Sequence, residues 1–148
     1  MKNALGFYAG KRVLLTGHTG FKGMWLSLLL LRAGAEVTGF ALDAPTEDGA
    51  ETLRRLGILK ELRDVHGDVR DMVALCRAFD EVRPEIVFHL AAQPIVRESY
   101  RQPVDTFAAN VMGTVNVLEC IRISGTVRSA LIVTTDKVYE NKEWAWGY

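Results

Sequence analysis

Apolar residues along the chain fall into short runs, separated by longer segments with a helical spacing. The runs predict strands at residues 12–16, 85–92 and 129–135, and the alternation at 36–42 predicts another. A short fifth strand is expected at 64–66, before Gly67-Asp68. The run at 85–92 is almost continuously apolar, which is typical of a central parallel strand covered on both faces. Between the runs, apolar residues recur with the period of one helix face, which predicts helices at 20–33, 53–62, 71–82 and 103–124.

The alternation of strands and helices predicts the α/β fold class. Each strand-helix-strand unit is expected to be a right-handed crossover, so the strands form a doubly wound parallel sheet of the Rossmann type. We expect about five strands, with the C-terminal part of the fold missing, because few residues follow the fifth strand. The helix at 20–33 is apolar nearly all round and is expected to be covered by neighbours, and the segment 44–51 is expected to be flexible.

Composition restricts the class of protein further. The 148 residues fit one domain, and 18 basic residues balance 18 acidic ones, so neither nucleic acid nor an anionic membrane is an expected partner. The apolar stretch at 24–31 is too short to span a bilayer and begins too late for a secretory signal, which predicts a cytoplasmic protein. Cys76 and Cys120 lie in apolar helical patterns, so we interpret them as small buried residues and expect neither a disulfide nor a metal site.

Three glycines mark the junction between the first strand and the first helix. Gly17, Gly20 and Gly23 have the spacing Gly-x-x-Gly-x-x-Gly. Gly17 is expected to make the turn off the strand, Gly20 to let the backbone approach a phosphate, and Gly23 to let the helix pack against the strand. The helix N-terminus would then offer N–H groups and partial positive charge to a pyrophosphate. The alternative is a glycine-rich turn without a ligand.

Two aspartates follow later strands. Asp43 lies twenty residues beyond Gly23, where a carboxylate would accept hydrogen bonds from the adenosine ribose and repel a 2′-phosphate, which favours NAD over NADP. The alternative is a loop aspartate in a proline-containing turn. Asp68 follows the third strand and would meet the adenine amino group, or would serve as a turn or capping residue.

Longer motifs add a resemblance that covers nearly the whole chain. The chain resembles the extended short-chain dehydrogenase/reductase superfamily in the glycine loop, Asp68-Val69-Arg70, HLAA at 89–92 and Asn110. Within that superfamily it resembles the CDP-glucose 4,6-dehydratases in GHTGFKG at 17–23, AAQPIVR at 91–97 and TDKVYENKEW at 135–144. Asp136-Lys137 is the most specific feature, because sister dehydratases are expected to have glutamate at the second of these positions.

The resemblance implies an internal oxidation and reduction of a nucleotide sugar, with NAD as the cofactor and CDP-glucose as the substrate. Hydride would leave sugar C4 for NAD, a base would remove the C5 proton, the 6-hydroxyl would leave as water, and hydride would return to C6. The resemblance implies that Thr135 bonds the 4-hydroxyl, that Asp136 is the acid and that Lys137 is the base. The alternative is a solvated Asp-Lys pair, because adjacent opposite charges shift both pKa values away from those roles. A homo-oligomer is implied for the full-length protein.

The resemblance also implies which residues bind the cofactor. They are Gly17, Thr19, Gly20, Phe21, Lys22, Gly23, Asp43, Asp68, Val69, Leu90, Ala91, Ala92, Gln93, Asn110 and Thr134. Asn110 is implied to be a structural amide near the site, and the alternative is an ordinary buried asparagine. His89 lies inside an apolar strand, so we interpret it as a core histidine with satisfied hydrogen bonds.

One motif of the superfamily has no match. Its Tyr-x-x-x-Lys pair is absent, because Glu143 stands four residues after Tyr139 and Tyr148 is the last residue. We therefore expect residues 1–148 to be an NAD-binding Rossmann domain, separated from its substrate domain, that binds NAD but is inactive alone. Two alternatives stay open: another nucleotide-sugar epimerase or dehydratase, and an NAD-binding module without catalytic activity.

Overall fold

One parallel sheet organises the chain, for which a computed structural model describes residues 4–135 and 138–147. Its five strands lie in the order β3-β2-β1-β4-β5, and every pair of neighbours is parallel. The chain therefore reverses its direction of travel across the sheet between β1 and β4. The strands are β1 (Arg12–Thr16), β2 (Glu36–Ala41), β3 (Arg63–His66), β4 (Ile86–His89) and β5 (Ser129–Ile132). This arrangement confirms the predicted doubly wound sheet.

Helices cover both faces of the sheet. They are α1 (Phe21–Arg32), α2 (Glu47–Leu56), α3 (Ile58–Glu61), α4 (Met72–Val82), α5 (Val96–Arg101), α6 (Pro103–Phe107) and α7 (Gly113–Ser124), with a π turn (Ala108–Met112) joining α6 to α7 and a short 3-10 helix (Ala4–Tyr8) at the start. Because successive strand residues point to opposite faces, the sheet supplies two hydrophobic clusters. One packs against α1, α2 and α3, and the other packs against α4 and α7.

The central strand β1 shows how the two clusters form. Val13 belongs to the first cluster and Leu14 to the second, and both side chains are wholly buried. Complete burial of an aliphatic side chain of this size contributes about 1.5–3 kcal/mol. The first cluster includes Met24, Leu30, Leu53 and Ile58, and the second includes Phe40, Leu75, Phe79, Val87 and Val117.

The ends of α4 confirm the predicted signals. Asp71 caps the helix, because its Oδ1 accepts a hydrogen bond of 3.0 Å from Ala74 N. The helix stops at Val82, and Arg83 adopts a left-handed φ of 49° immediately before Pro84. A proline disfavours helical backbone at the residue before it, which explains the stop.

Several predicted boundaries are wrong. Helix α2 begins at Glu47, where Thr46 Oγ1 accepts from Gly49 N at 3.1 Å, so the second half of the segment 44–51 is helical. Strand β4 ends at His89 and β5 at Ile132, short of the predicted residues 92 and 135. An apolar run continues into a loop as readily as into a strand, so the sequence pattern placed the strand ends too late. Helix α5 was missed.

Two apolar helix faces are exposed in the described part of the chain. On α1, Phe21, Trp25 and Leu29 are about half exposed or more, so the expectation that neighbours cover this helix all round is wrong here. The predicted long helix runs through α6, the π turn and α7, but its packed residues are Gly113, Val117 and Cys120. Its regular apolar stripe is exposed instead: Val104, Phe107, Val111, Val115 and Leu118. No helix in the described ranges has the length and apolar character to cross a membrane.

Candidate dinucleotide site

The turn after β1 can be made only by glycine. Gly17 has a φ of 76°, a conformation that side chains disfavour, and its N–H donates to Phe40 O at 3.0 Å. A Cβ at this position would lie 2.7 Å from Ala91 N, inside van der Waals contact. Gly17 is therefore in close contact with the carboxyl ends of both β2 and β4. It is the first residue of the glycine loop, which we define as residues 17–23.

The other two glycines have different reasons for their identity. A Cβ at Gly23 would lie 2.1 Å from Gly17 O and 2.7 Å from His18 Cα, so helix α1 packs directly against the glycine loop. The sequence predicts that Gly23 lets the helix pack against the strand, and the nearest atoms belong to the two residues that directly follow β1. At Gly20 an added Cβ would meet only Gly17 O, at 3.4 Å, so the protein itself leaves room there. Space at Gly20 is what the close approach of a phosphate requires.

The N-terminus of α1 offers hydrogen-bond donors to a ligand. The first helical hydrogen bond runs from Met24 N to Gly20 O at 2.9 Å, and no side chain of the described residues caps the helix at Gly20. The N–H groups of Phe21, Lys22 and Gly23 precede that bond and lie at the positive end of the helix dipole. Exposed Lys22 adds a positive charge. These residues fit the pyrophosphate of a dinucleotide.

A cleft lies beside the glycine loop at the end of β2. Its volume is about 550 Å³, and its lining includes Thr19, Asp43, Thr46, Arg54 and Asp64. Thr19 Oγ1 donates to Leu42 O at 2.9 Å and so fastens the loop to the end of β2. The Asp43 carboxylate is almost fully exposed and lies 3.4 Å from His66 Nδ1. The adenosine ribose of a dinucleotide would have direct access to this carboxylate.

The loop after β3 is held by side chains from two directions. Both oxygens of Asp68 accept hydrogen bonds from Arg70, at 2.9 Å from its backbone N and 2.8 Å from its Nε. The side-chain bonds lower the pKa of Asp68, so its carboxylate is an ionised acceptor. Asn116 Nδ2 donates to Val69 O at 3.0 Å, and the Val69 side chain is buried against α7. Only the backbone of Val69 is therefore suited to contact a cofactor.

The loop after β4 is fixed by a pair of reciprocal hydrogen bonds. Gln93 N donates to Asn110 Oδ1 at 2.7 Å, and Asn110 Nδ2 donates to Gln93 O at 3.0 Å. Asn110 lies in the π turn, which turns its amide toward this loop. The Gln93 side chain donates to Thr106 Oγ1 at 3.0 Å. In the structure both predicted cofactor residues position the loop that carries Leu90, Ala91 and Ala92.

His89 is a satisfied core histidine, as the sequence predicted. Its Nε2 lies 3.0 Å from Thr114 Oγ1, whose hydroxyl donates to Asn110 O at 2.7 Å. That hydroxyl must therefore accept from Nε2, which leaves Nδ1 as the acceptor for Thr16 Oγ1. Burial lowers the pKa of His89 and keeps the ring neutral, in agreement with this single tautomer.

The predicted catalytic residues Thr135, Asp136 and Lys137 follow β5, directly after the predicted cofactor residue Thr134. Thr134 and Thr135 are exposed after the strand end, at the edge of the sheet that carries the glycine loop. Asp136 and Lys137 lie outside the described residues, so their roles stay predictions. Because all strands are parallel, the loops that carry Gly17, Asp43, Asp68, Gln93 and Thr135 meet at one edge, where ligands of doubly wound sheets bind.

One contact of the glycine loop, between His18 and Gly39, is not predicted by the sequence. The family motif gives His18 no separate role, yet its side chain is wholly buried. A glycine inside a strand often marks a close approach by another group, and this was the available signal. A Cβ at Gly39 would lie 2.4 Å from His18 Cγ, so the ring lies directly on this strand.

Comparison with known proteins gives the family. Residues 14–143 match the family described as GDP-mannose 4,6 dehydratase. The chain belongs to this family. It is 52% identical to CDP-glucose 4,6-dehydratase of Salmonella typhimurium over 143 residues. The aligned region covers 96% of the chain and 39% of that relative. It is 33% identical over 133 residues to CDP-paratose 2-epimerase of Salmonella typhi, covering 89% of the chain and 39% of the relative.

Solved structures share the fold of this dehydratase-family chain. An epimerase from Methanothermobacter thermautotrophicus has a TM-score of 0.80 and 30% identity, covering 93% of the chain and 39% of the neighbour. UDP-glucose 4-epimerase of Thermus thermophilus, solved with NAD, has a TM-score of 0.67 and 35% identity, covering 78% of the chain and 35% of the neighbour. These findings confirm the predicted fold class and the resemblance to nucleotide-sugar dehydratases. The chain spans 39% of the length of both curated relatives.

Proposed function

We propose that this chain is the NAD-binding part of a dehydratase that converts CDP-glucose to CDP-4-keto-6-deoxyglucose. The observation that carries the proposal is the glycine loop, with its uncapped helix end, at the reversal point between β1 and β4. The 52% identity to a CDP-glucose 4,6-dehydratase supports the reaction and the substrate. Residues 1–148 then form one domain, and the residues that complete substrate binding belong to a longer protein.

The cofactor would be held mainly by backbone groups. The N–H groups at Phe21, Lys22 and Gly23 would bind the pyrophosphate, with Gly20 providing the open approach. Asp68 and the backbone of Val69 would receive the adenine, and the chain at 90–93 with Thr134 would border the nicotinamide side. Bound NAD supplies a hydride acceptor at the start of the reaction and a hydride donor at its end.

Asp43 supports NAD rather than NADP. Its exposed carboxylate would accept hydrogen bonds from ribose hydroxyls and would repel a 2′-phosphate. Arg54 lines the same cleft, but its guanidinium is paired with Glu47 at 2.9 Å and Glu51 at 3.0 Å. The Arg54 guanidinium is therefore already paired with two carboxylates of its own helix.

The sugar chemistry is assigned to the chain after β5. Thr135 would bond the 4-hydroxyl of the sugar, Lys137 would remove the C5 proton, and Asp136 would protonate the departing 6-hydroxyl. A general acid needs a raised carboxyl pKa and a lysine base needs a lowered one, so a substrate that excludes water from the pair is required. The full-length protein is proposed to be a lyase, a homo-oligomer and cytoplasmic.

A substrate comparison tests this function in the full-length protein that contains the chain. With NAD present, CDP-glucose is expected to give a 4-keto product lighter by one water, detected by mass spectrometry, whereas UDP-glucose and GDP-mannose react poorly. Conversion of CDP-glucose to an isomer of unchanged mass would show an epimerase instead. Binding of NAD without any product would favour a non-catalytic module.

A lysine variant tests the proposed base. Lys137→Met is expected to allow C4 oxidation but to block water loss, so reduced cofactor accumulates and absorbs in the near ultraviolet. Lys142→Met is the matched control, because Lys142 is a nearby lysine paired with Glu140 outside the proposed chemistry. Normal dehydration by Lys137→Met would disprove the assigned role.

A further inference from the structure

His18 is wholly buried although it belongs to a loop that faces a ligand. A Cβ built at Gly39 would lie 2.4 Å from His18 Cγ, 2.5 Å from Nδ1 and 2.6 Å from Cδ2, and these are its three nearest atoms. The imidazole therefore occupies the space that a side chain at position 39 would take. Any other residue on β2 at this point would displace the ring.

The ring also reaches the next strand. Gly39 is the register partner of Asp64 on β3, and His18 Nε2 lies 2.9 Å from Asp64 Oδ1. Among the described residues neither ring nitrogen has a well-aligned hydrogen-bond partner, so packing on Gly39 is the main constraint on the ring. Burial lowers the pKa of His18, and the Asp64 carboxylate acts in the opposite direction.

The backbone of His18 is fixed from the other side. Helix α1 approaches so closely that a Cβ at Gly23 would lie 2.7 Å from His18 Cα. The residues on either side of His18 are also attached here: Gly17 N donates to Phe40 O of β2, and Thr19 Oγ1 donates to Leu42 O, directly after the strand. Three consecutive residues of the glycine loop therefore rest on β2 and the residue that follows it, and His18 makes its attachment through a buried ring.

We propose that His18 is a positioning residue for the dinucleotide: its ring, lying on Gly39 and beside Asp64, holds the glycine loop in the conformation that binds the pyrophosphate. This inference rests on the proposed binding of NAD and is independent of the sugar chemistry. His18 does not contact the cofactor in this role. It sets the positions of the N–H groups that do.

A double-mutant cycle tests the role through NAD affinity, measured by isothermal titration calorimetry on the chain and on its variants. His18→Ala removes the ring, and Gly39→Ala places a methyl group where the ring lies. Each is expected to weaken NAD binding about tenfold, because each releases the same contact. His18→Ala/Gly39→Ala is expected to bind like the single variants, since the added methyl group no longer meets a ring.

Stability is separated from positioning by a control variant. Val117→Ala removes a buried side chain on the other face of the sheet, in the α4 and α7 cluster. It is expected to lower the melting temperature while leaving NAD affinity unchanged. The role of His18 is wrong if His18→Ala binds NAD like the unsubstituted chain, if the two losses multiply in the double variant, or if Val117→Ala loses affinity equally. Failure of the unsubstituted chain to bind NAD would overturn the proposed function as well.

Discussion

Thr16 Oγ1 lies 2.6 Å from His89 Nδ1, and this contact joins the ends of β1 and β4 at the point where the sheet order reverses. The same hydroxyl oxygen accepts from Leu90 N and Ala91 N, each at 3.3 Å. On its other side the ring contacts Thr114 of α7. This network therefore connects the strand before the glycine loop to the loop after β4 and to α7, which directly follows the π turn that carries Asn110.

Replacing His89 should destabilise the fold. His89→Leu removes a hydrogen-bond partner from the buried Thr16 hydroxyl and from the half-buried Thr114 hydroxyl, which we expect to cost about 1–3 kcal/mol. The free energy of unfolding in urea measures this loss. Thr114→Ser keeps the hydroxyl and is expected to cost less than half as much. Equal stability of His89→Leu and the unsubstituted chain would contradict the network.

Stability should fall when the pH is lowered below 6.5. Burial lowers the pKa of His18 and His89 below the ordinary value of 6.5, so the unfolded chain binds more protons than the folded protein in this range. Their contribution is complete above pH 6.5 and is lost progressively below it, at up to about 1.4 kcal/mol per pH unit for each histidine. Asp64 reduces the contribution of His18, because its charge favours the protonated ring.

The pH dependence can be assigned to individual groups. Urea unfolding at pH 7.5, 6.5 and 5.5 measures the slope, and Asp68 does not interfere because its lowered pKa acts only below its ordinary value of 3.8. His89→Asn should reduce the slope, because it removes one of the two buried neutral rings. A flat profile in the unsubstituted chain would contradict the buried neutral rings.

Gly20 and Gly23 of the glycine loop should respond differently to alanine. Gly23→Ala places a Cβ 2.1 Å from Gly17 O, and it should destabilise the fold and abolish NAD binding. Gly20→Ala meets only one atom, at 3.4 Å, so it should change the melting temperature little while weakening NAD binding about tenfold or more. Gly6→Ala, where an added Cβ meets nothing within 4 Å, is the control for both measurements. Full NAD affinity in Gly20→Ala would show that no phosphate approaches there.

The sequence predicted the strands more reliably than their ends. Central parallel strands buried on both faces are apolar, so β1 and β4 could be found from their short apolar runs. Strand β3 is mostly exposed and polar, and only the Gly67-Asp68 turn that follows it indicated its place. A strand ends where its backbone stops pairing with the neighbouring strands. The sequence does not show this point at β4, because the next residue, Leu90, is also apolar. The start of α2 was missed for a related reason: Glu47 and Asp48 stabilise a helix N-terminus but break the apolar period that was used to find helices.

The site was predictable where a residue acts through local geometry. The glycine spacing located the turn and the helix end, because both lie within a few residues of each other. The contact of His18 with Gly39 depends on the register of β1, β2 and β3. No single segment of the sequence determines that register, so the contact could not be predicted. The π turn that directs Asn110 to Gln93 likewise depends on packing between distant elements.

Asp43 should control the choice between the two nicotinamide cofactors. Asp43→Asn removes the negative charge that would repel a 2′-phosphate, so the ratio of NADP to NAD affinity should rise about tenfold. Because the carboxylate is almost fully exposed and lies 3.4 Å from His66, the melting temperature should hardly change. Calorimetric titration with each cofactor measures the ratio, and Asp80→Asn on the exposed side of α4 is the matched control. If Asp43→Asn leaves the ratio unchanged, Asp43 is only a loop residue, and the preference for NAD must come from another part of the cleft.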